Sequence, residues 1–302
     1  MRNGESMKTS IDCIPCFVRQ TLEATRFISV YPSVHEGVLR EILRCLAELD
    51  LDQSPPVVGQ LIHRKLRELT GNRDPYREAK ERYNRLALEL LPELREMVRN
   101  SYDPLKTAVR LAITGNIIDL GAKSGLTEKE VRASIAKTLS EPFHVDIEQL
   151  RDEIGRASRI LYLADNAGEI VFDRLLIEEL PTEKVTVAVR GLPVINDATF
   201  EDAREAGLHE IVKVIDNGSD APGTIIDDCN LKFQECFKDA DLIIAKGQGN
   251  YETLSEERAN IFFLFRIKCE VVALHTGFEM GTNVLTVTSG ATGQERGNKN
   301  VW

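Results

Sequence analysis

No apolar stretch in the 302-residue sequence approaches the ~20 residues of a membrane-spanning helix. The N-terminal MRNGESMKTS is polar where a secretion signal needs an apolar core. Excess positive charge is missing as well. The formal net charge is −10, from 38 Lys and Arg against 48 Asp and Glu, and a nucleic-acid backbone demands clustered Lys and Arg instead. GxxxxGK[ST] is absent, which excludes a P-loop, and no GxGxxG opens the first strand-to-helix turn, so a nucleotide cofactor has little support. The five histidines are scattered without HExxH or a Cys or Ser partner, against zincin and triad chemistry. Six cysteines are ordinary for free thiols in a reducing cytoplasm and give no disulfide framework. Cys13 and Cys16 form one CxxC with no second CxxC or CxxH after it, half of a zinc site, so a structural role is favoured. The expectation is a soluble cytoplasmic chain without a nucleic-acid or membrane partner. Acidity leaves a phosphorylated small molecule open, because a metal ion or one lysine reverses the local sign.

What is present falls into two grammars. Over residues 1–155, CFVRQTLEATRFI, EGVLREILRCLAEL, VGQLIHRKLREL, YREAKERYNRLALELLPELREMVR and LKTAVRLAITGNIIDLG carry apolar residues at helical spacing. YPSV, DQSPP, TGNRDP and NSYDP separate them with helix-stop chemistry. This region reads as a helical bundle or cap. Over 156–302, the strand-like runs RILYLA, KVTVAVR, EIVKVID and DLIIAK alternate with amphipathic IVFDRLLIEEL, TFEDAREAG and DCNLKFQECFKDA. Such alternation predicts an α/β unit with a mostly parallel sheet covered on both faces. NIFFLFRIKCEVVALHTG reads as two strands or as a strand and a helix, NVLTVTSG as a closing strand, and ATGQERGNKNVW as a frayed tail.

In such sheets ligands sit at the carboxyl ends of the strands, and that is where polar residues cluster. Asp165-Asn166 end the strand of ILYLADNAGEIVFD, and Asn196-Asp197 follow the next strand. Asp165 and Asn166 suit a helix N-cap supported by Glu169. Only one cap is needed, however, and two carboxylates with an amide oxygen make a hard-oxygen site for Mg²⁺ or Mn²⁺. Lys246 ends another strand in AKGQGNYETL, where Gly247 and Gly249 either make a tight turn or let backbone N–H groups approach a phosphate beside Lys246 and Asn250. Arg190 suits a phosphate clamp or an ion pair equally. Asn116 and Asp119 interrupt an apolar helix, where they satisfy one another or face a cleft.

Together, DPY, GNIID, ADNAGE, VINDAT, DAPGT and KGQGNYETL resemble the family known as domain of unknown function 89, and its microbial branch with an N-terminal CxxC in particular. The resemblance runs from about Cys13 to about Gly281. It implies a helical N-terminal region on a Rossmann-like, three-layer α/β/α domain, and a metal-dependent phosphatase that clears damaged or excess phosphometabolites. It implies Asp165, Asn166 and Asp197 as ligands of a divalent Mg, Mn, Co or Ni ion, with the acid Glu169 nearby. Lys246 and Asn250 would hold phosphate, Asn116 and Asp119 would line the same pocket, and Arg190 matches less closely. The aspartyl-nucleophile pattern DxDx[TV] is missing, which favours attack by water. Rival readings are a carboxyl methyltransferase, which needs an adenosyl-binding glycine loop that ADNAGE resembles poorly, and a phosphometabolite-binding protein without turnover. The partner expected is a small phosphorylated metabolite; the oligomeric state is open.

Overall fold

The structure, a computed structural model, describes residues 7–115, 128–140 and 147–288. Among the described residues seven α-helices come first: α1 (Ile14–Ile28), α2 (Pro32–Ala47), α3 (Pro55–Thr70), α4 (Arg77–Arg99), α5 (Pro104–Thr114), α6 (Glu128–Ser140) and α7 (Ile147–Arg156). Prolines in the first turns of α1, α2, α3 and α5 start these helices where no amide bond is lost. Among the described residues no strand precedes β1 (Ile160–Leu163). From there the chain alternates through α8 (Glu169–Glu178), β2 (Val185–Val189), α9 (Phe200–Glu205), β3 (Lys213–Asp216) and α10 (Leu231–Asp239). It continues with β4 (Leu242–Lys246), α11 (Gln248–Leu254), β5 (Ile261–Arg266), α12 (Glu270–Thr276) and β6 (Asn283–Val287).

The strand order is β3-β2-β1-β4-β5-β6. Every pairing is parallel except β5 with β6. This is the expected mostly parallel α/β sheet, and the ambiguous stretch after residue 260 is a strand followed by a helix. The chain leaves β1 toward β2 on one side and returns through β4 on the other. The crevice between the carboxyl ends of β1 and β4 is therefore a topological switch point.

Alternation along the strands sends Ile160, Tyr162, Val187, Ile244 and Leu264 into one core with α4, α5 and α8. Leu161, Leu163, Ile243, Ala245 and Phe263 enter a second core with α10, α11 and α12. Phe17, Ile42, Val58, Ile62 and Leu66 form a third among α1, α2 and α3. Helices α4 and α5 thus share the core of the sheet, although they lie in the helical half of the sequence. Both pack on α8. That is why α8 is buried on almost all sides, where its sequence reads as amphipathic: its outer face meets protein instead of water.

Polar ties fasten the N-terminal helices to the loops above the sheet. Gln60 Nε2 donates to Asp220 Oδ1 and Asp228 Oδ2, each at 2.7 Å. Arg64 donates to Asp220 and Arg67 pairs with it as well. Asn84 on α4 donates to Asp202 Oδ1 at 2.9 Å, and Lys80 lies 3.3 Å from Asp202 Oδ2. No helix among the described residues is long and apolar enough to cross a membrane.

Candidate active site

The loops after β1 and β2 are zipped together by backbone bonds. Ala198 N–H donates to Asp165 O and Ala167 N–H to Asn196 O, both at 2.8 Å, so Asn166 and Asp197 form an isolated antiparallel bridge. Directly opposed bridge residues hold neighbouring side chains close together. The approach to Asp197 is strained: Ile195 has φ 45°, rare for a β-branched residue.

Helix α8 starts from Gly168, with φ 77° and no side-chain cap. Its N–H donates instead to Asn84 Oδ1 at 2.7 Å. The capping role open to Asp165 and Asn166 is therefore not what their side chains do. Asn166 Nδ2 donates to Asp165 Oδ2 at 2.6 Å and to Glu169 Oε2 at 3.0 Å. The amide nitrogen is committed to two acids, and Asn166 Oδ1 accepts no side-chain hydrogen bond among the described residues.

Arg190 is buried and donates from Nε to Asp197 Oδ2 at 2.7 Å, while its Nη2 lies 4.0 Å from Asp165 Oδ1. It also donates to Thr224 Oγ1 and Asn250 Oδ1, each at 3.3 Å. The ion pair open to Arg190 is thus made with Asp197. Asn250 is engaged at both ends: its Oδ1 also accepts from Thr224, and its Nδ2 donates to Lys246 O at 2.7 Å. Lys246 is 0% exposed, and its three donors reach Ala112 O at 2.9 Å, Glu169 Oε1 at 2.6 Å and Asp173 Oδ1 at 2.5 Å. Gly247 N–H pairs with Leu264 O in the sheet. A β-carbon on Gly247 would collide with the Asp165 carboxylate, and one on Gly249 with Pro222 O. These two glycines serve close approach in the structure. Asn116 and Asp119 lie outside the described residues.

The electrostatics of the site are set by burial and by the facing charges. Burial, then Glu169 and Asp197, push the Asp165 carboxyl well above the usual carboxylate range. Burial raises Asp197 too, with Arg190 pulling the other way. Burial alone would lower the Lys246 ammonium, but Asp173 and Glu169 outweigh it and raise it. Two buried acids thus face one another with one shared guanidinium. Asp165 Oδ1, Asn166 Oδ1 and Asp197 Oδ1 accept no side-chain hydrogen bond among the described residues. That donor set suits a hard divalent cation with waters completing its shell. Among the described residues no group of three His, Cys, Asp or Glu side chains could hold a metal ion; the expected set has two acids and an amide.

The sequence reading missed Asp173, although Glu169 and Asp173 are spaced i, i+4 in an otherwise apolar run and so share a helix face. A second missed residue is Lys268, exposed and within electrostatic reach of Asp165, Asp197 and Glu252. Cys13 is half-buried, and burial, with Glu252, Cys269 and Cys16 adding to it, raises its pKa.

The model of the damage-control phosphatase ARMT1-like domain matches residues 9–284. The "Damage-control phosphatase" of Archaeoglobus fulgidus is 37% identical, over 93% of this chain and 99% of that protein. A damage-control phosphatase of Pyrococcus horikoshii is 34% identical over 88% of this chain and 93% of its own length. The crystal structure of a DUF89 family protein from Pyrococcus horikoshii superposes with a TM-score of 0.85 at 33% identity, covering 94% of this chain and all of the other.

Proposed function

We propose, on the premise that this chain belongs to the damage-control phosphatase ARMT1-like family, that it hydrolyses small phosphomonoesters with a divalent cation held by Asp165, Asn166 and Asp197. The observation that carries this reading is the meeting of two buried acids and one amide oxygen at the carboxyl ends of β1 and β2, beside the switch point of the sheet. When bound, Mg, Mn, Co or Ni there polarises a phosphoryl oxygen and promotes deprotonation of water.

The chain's own residues do the rest. Arg190, 2.7 Å from Asp197 and 4.0 Å from Asp165, places a planar positive fork beside the ligand oxygens, suited to the charge of a transferring phosphoryl group. Asn250 and Thr224 hold that guanidinium in place. Lys246 acts from beneath by fixing Glu169, and exposed Lys268 adds positive charge within electrostatic reach of Asp165 and Asp197. A cavity of about 570 Å³ opens beside Arg190, lined by Lys80, Leu192, Phe200 and Arg204 together with the acids Glu81 and Glu205 among others. Its size suits the organic part of a small metabolite. Attack by water remains the favoured route.

A methyltransferase would need the loop after β1 for an adenosyl group, but the Ala167 and Gly168 amides are already bonded to Asn196 O and Asn84 Oδ1. The test is phosphate release from a panel of phosphomonoesters with and without each metal. Release that depends on added cation and stops on chelation supports the reading. Binding of phosphometabolites without turnover would replace it with a sensor, and full activity after exhaustive metal removal would end the metal mechanism.

A further inference from the structure

Asp173 has no part in the reaction as described, yet it is 0% exposed and lies one turn beyond Glu169 on α8. A buried carboxylate without a partner is costly, and its partner here is Lys246 Nζ at 2.5 Å. The same ammonium donates to Glu169 Oε1 at 2.6 Å. The other oxygen of Glu169 accepts from Asn166 Nδ2 at 3.0 Å, and that nitrogen reaches Asp165 Oδ2 at 2.6 Å. An unbroken ladder therefore runs from the core to two of the proposed ligands. Its direction is set by chemistry: carboxylates accept, ammonium only donates, and so the nitrogen end of Asn166 must face the two acids.

One carboxylate would be enough to neutralise Lys246. The second changes where the ammonium sits. Without Asp173, Lys246 is free to engage both oxygens of Glu169, and Asn166 would lose an acceptor. With Asp173 in place, Glu169 keeps Oε2 for the amide. We infer that Asp173 is a positioning residue: through Lys246 and Glu169 it fixes Asn166 with Oδ1 turned toward the cation. The last step rests on the metal site proposed above, whereas the ordering of Asn166 belongs to the chain itself.

The test uses the full chain carrying Asp173→Asn, which keeps the shape and removes a surplus negative charge. With ¹⁵N-asparagine labelling, the Asn166 side-chain signals are identified by their loss in Asn166→Asp. In Asp173→Asn they should shift and exchange with water at least ~10-fold faster, and the Mn²⁺ Kd should rise ~10- to 100-fold, the usual effect of losing an outer-shell partner. In Glu169→Gln, where the ladder is already cut, adding Asp173→Asn should change the Kd little further. Unmoved Asn166 signals, or two Kd effects that multiply, would overturn the inference, as would wild-type protein that binds no Mn²⁺. If Asp173→Asn shows the Asn166 and Mn²⁺ effects while wild-type protein releases no phosphate, the phosphatase reading fails and the ladder stands.

Discussion

Gly247 lies against the Asp165 carboxylate so closely that a β-carbon at 247 would overlap it. Its φ of 81° and ψ of 158° fall in a region that is essentially restricted to glycine. The turn leaving β4 is thus shaped around the residue that ends β1. Gly247→Ala should cost ~1–3 kcal/mol of stability through backbone strain. It should also displace Asp165 and reduce phosphate release far more than the stability loss explains, by ~10²-fold on the scale of a misplaced catalytic group. Urea denaturation and steady-state kinetics on one preparation check both; normal turnover would show that Asp165 tolerates displacement.

Lys246→Met tests whether this lysine meets substrate or supports the site from within. A lysine facing a phosphate could be replaced with little change in stability. Here removal leaves Glu169 and Asp173 buried without their cation, which should destabilise the chain by ~3–5 kcal/mol. Mn²⁺ affinity should fall as well, because Glu169 is no longer held. Full stability with turnover alone reduced would return Lys246 to the substrate.

Much of this arrangement can be read from the sequence, for a physical reason. ADNAGE, VINDAT and KGQGNYETL place polar groups at strand ends, where a parallel sheet leaves no hydrophobic use for them, so Asp165, Asn166, Asp197 and Lys246 stand out. What cannot be read is the direction in which each donor points. Lys246 and Asn250 have the composition of a phosphate cradle, but their partners (Ala112, Asp173 and Thr224) lie far away in sequence and are chosen by packing. Asp173 shows in the sequence only as an acid one turn after Glu169 in an otherwise apolar run. The packing of α4 and α5 on α8 was hidden because a helix buried on both sides needs only a few changes from an amphipathic one.

Glu252 should give the metal-free protein a measurable pH dependence. Burial, partly offset by Gln248 and Lys268, pushes its carboxyl up to about 7 from an ordinary 4.5. The folded state then binds the proton more tightly than the unfolded state between those values. Its stabilising effect is complete below pH 4.5 and is lost as pH rises through 7. Asp173, raised to about 6 mainly by burial, adds a slope of the same sign at lower pH. His63, lowered to about 4 mainly by burial, adds one of opposite sign. The difference between wild type and Glu252→Gln isolates Glu252: the variant should gain ~1–3 kcal/mol on wild type between pH 5 and pH 8. Parallel stability curves across that range would show that the carboxyl ionises freely.

Asp165→Asn separates a helix cap from a metal ligand. Asn caps about as well as Asp, so a cap would survive the change with activity intact. Helix α8 takes no side-chain cap, however, and Asp165 is instead raised by burial and by the charges of Glu169 and Asp197. An acid whose folded pKa is raised destabilises the fold once pH exceeds its unfolded value, so the substitution should raise the thermal midpoint of the metal-free chain, more at pH 8 than at pH 5. Mn²⁺ binding should be lost, and phosphate release should fall ~10²-fold or more. Asp197→Asn should lose metal and activity alike, but without the gain in stability, because it strips buried Arg190 of its carboxylate at 2.7 Å. The double variant should be little less active than either single one, since ligands of one ion act as a unit. Calorimetric Mn²⁺ titration beside thermal melts distinguishes the cases. An Asp165→Asn protein that binds Mn²⁺ and releases phosphate as the wild type does would remove Asp165 from the site.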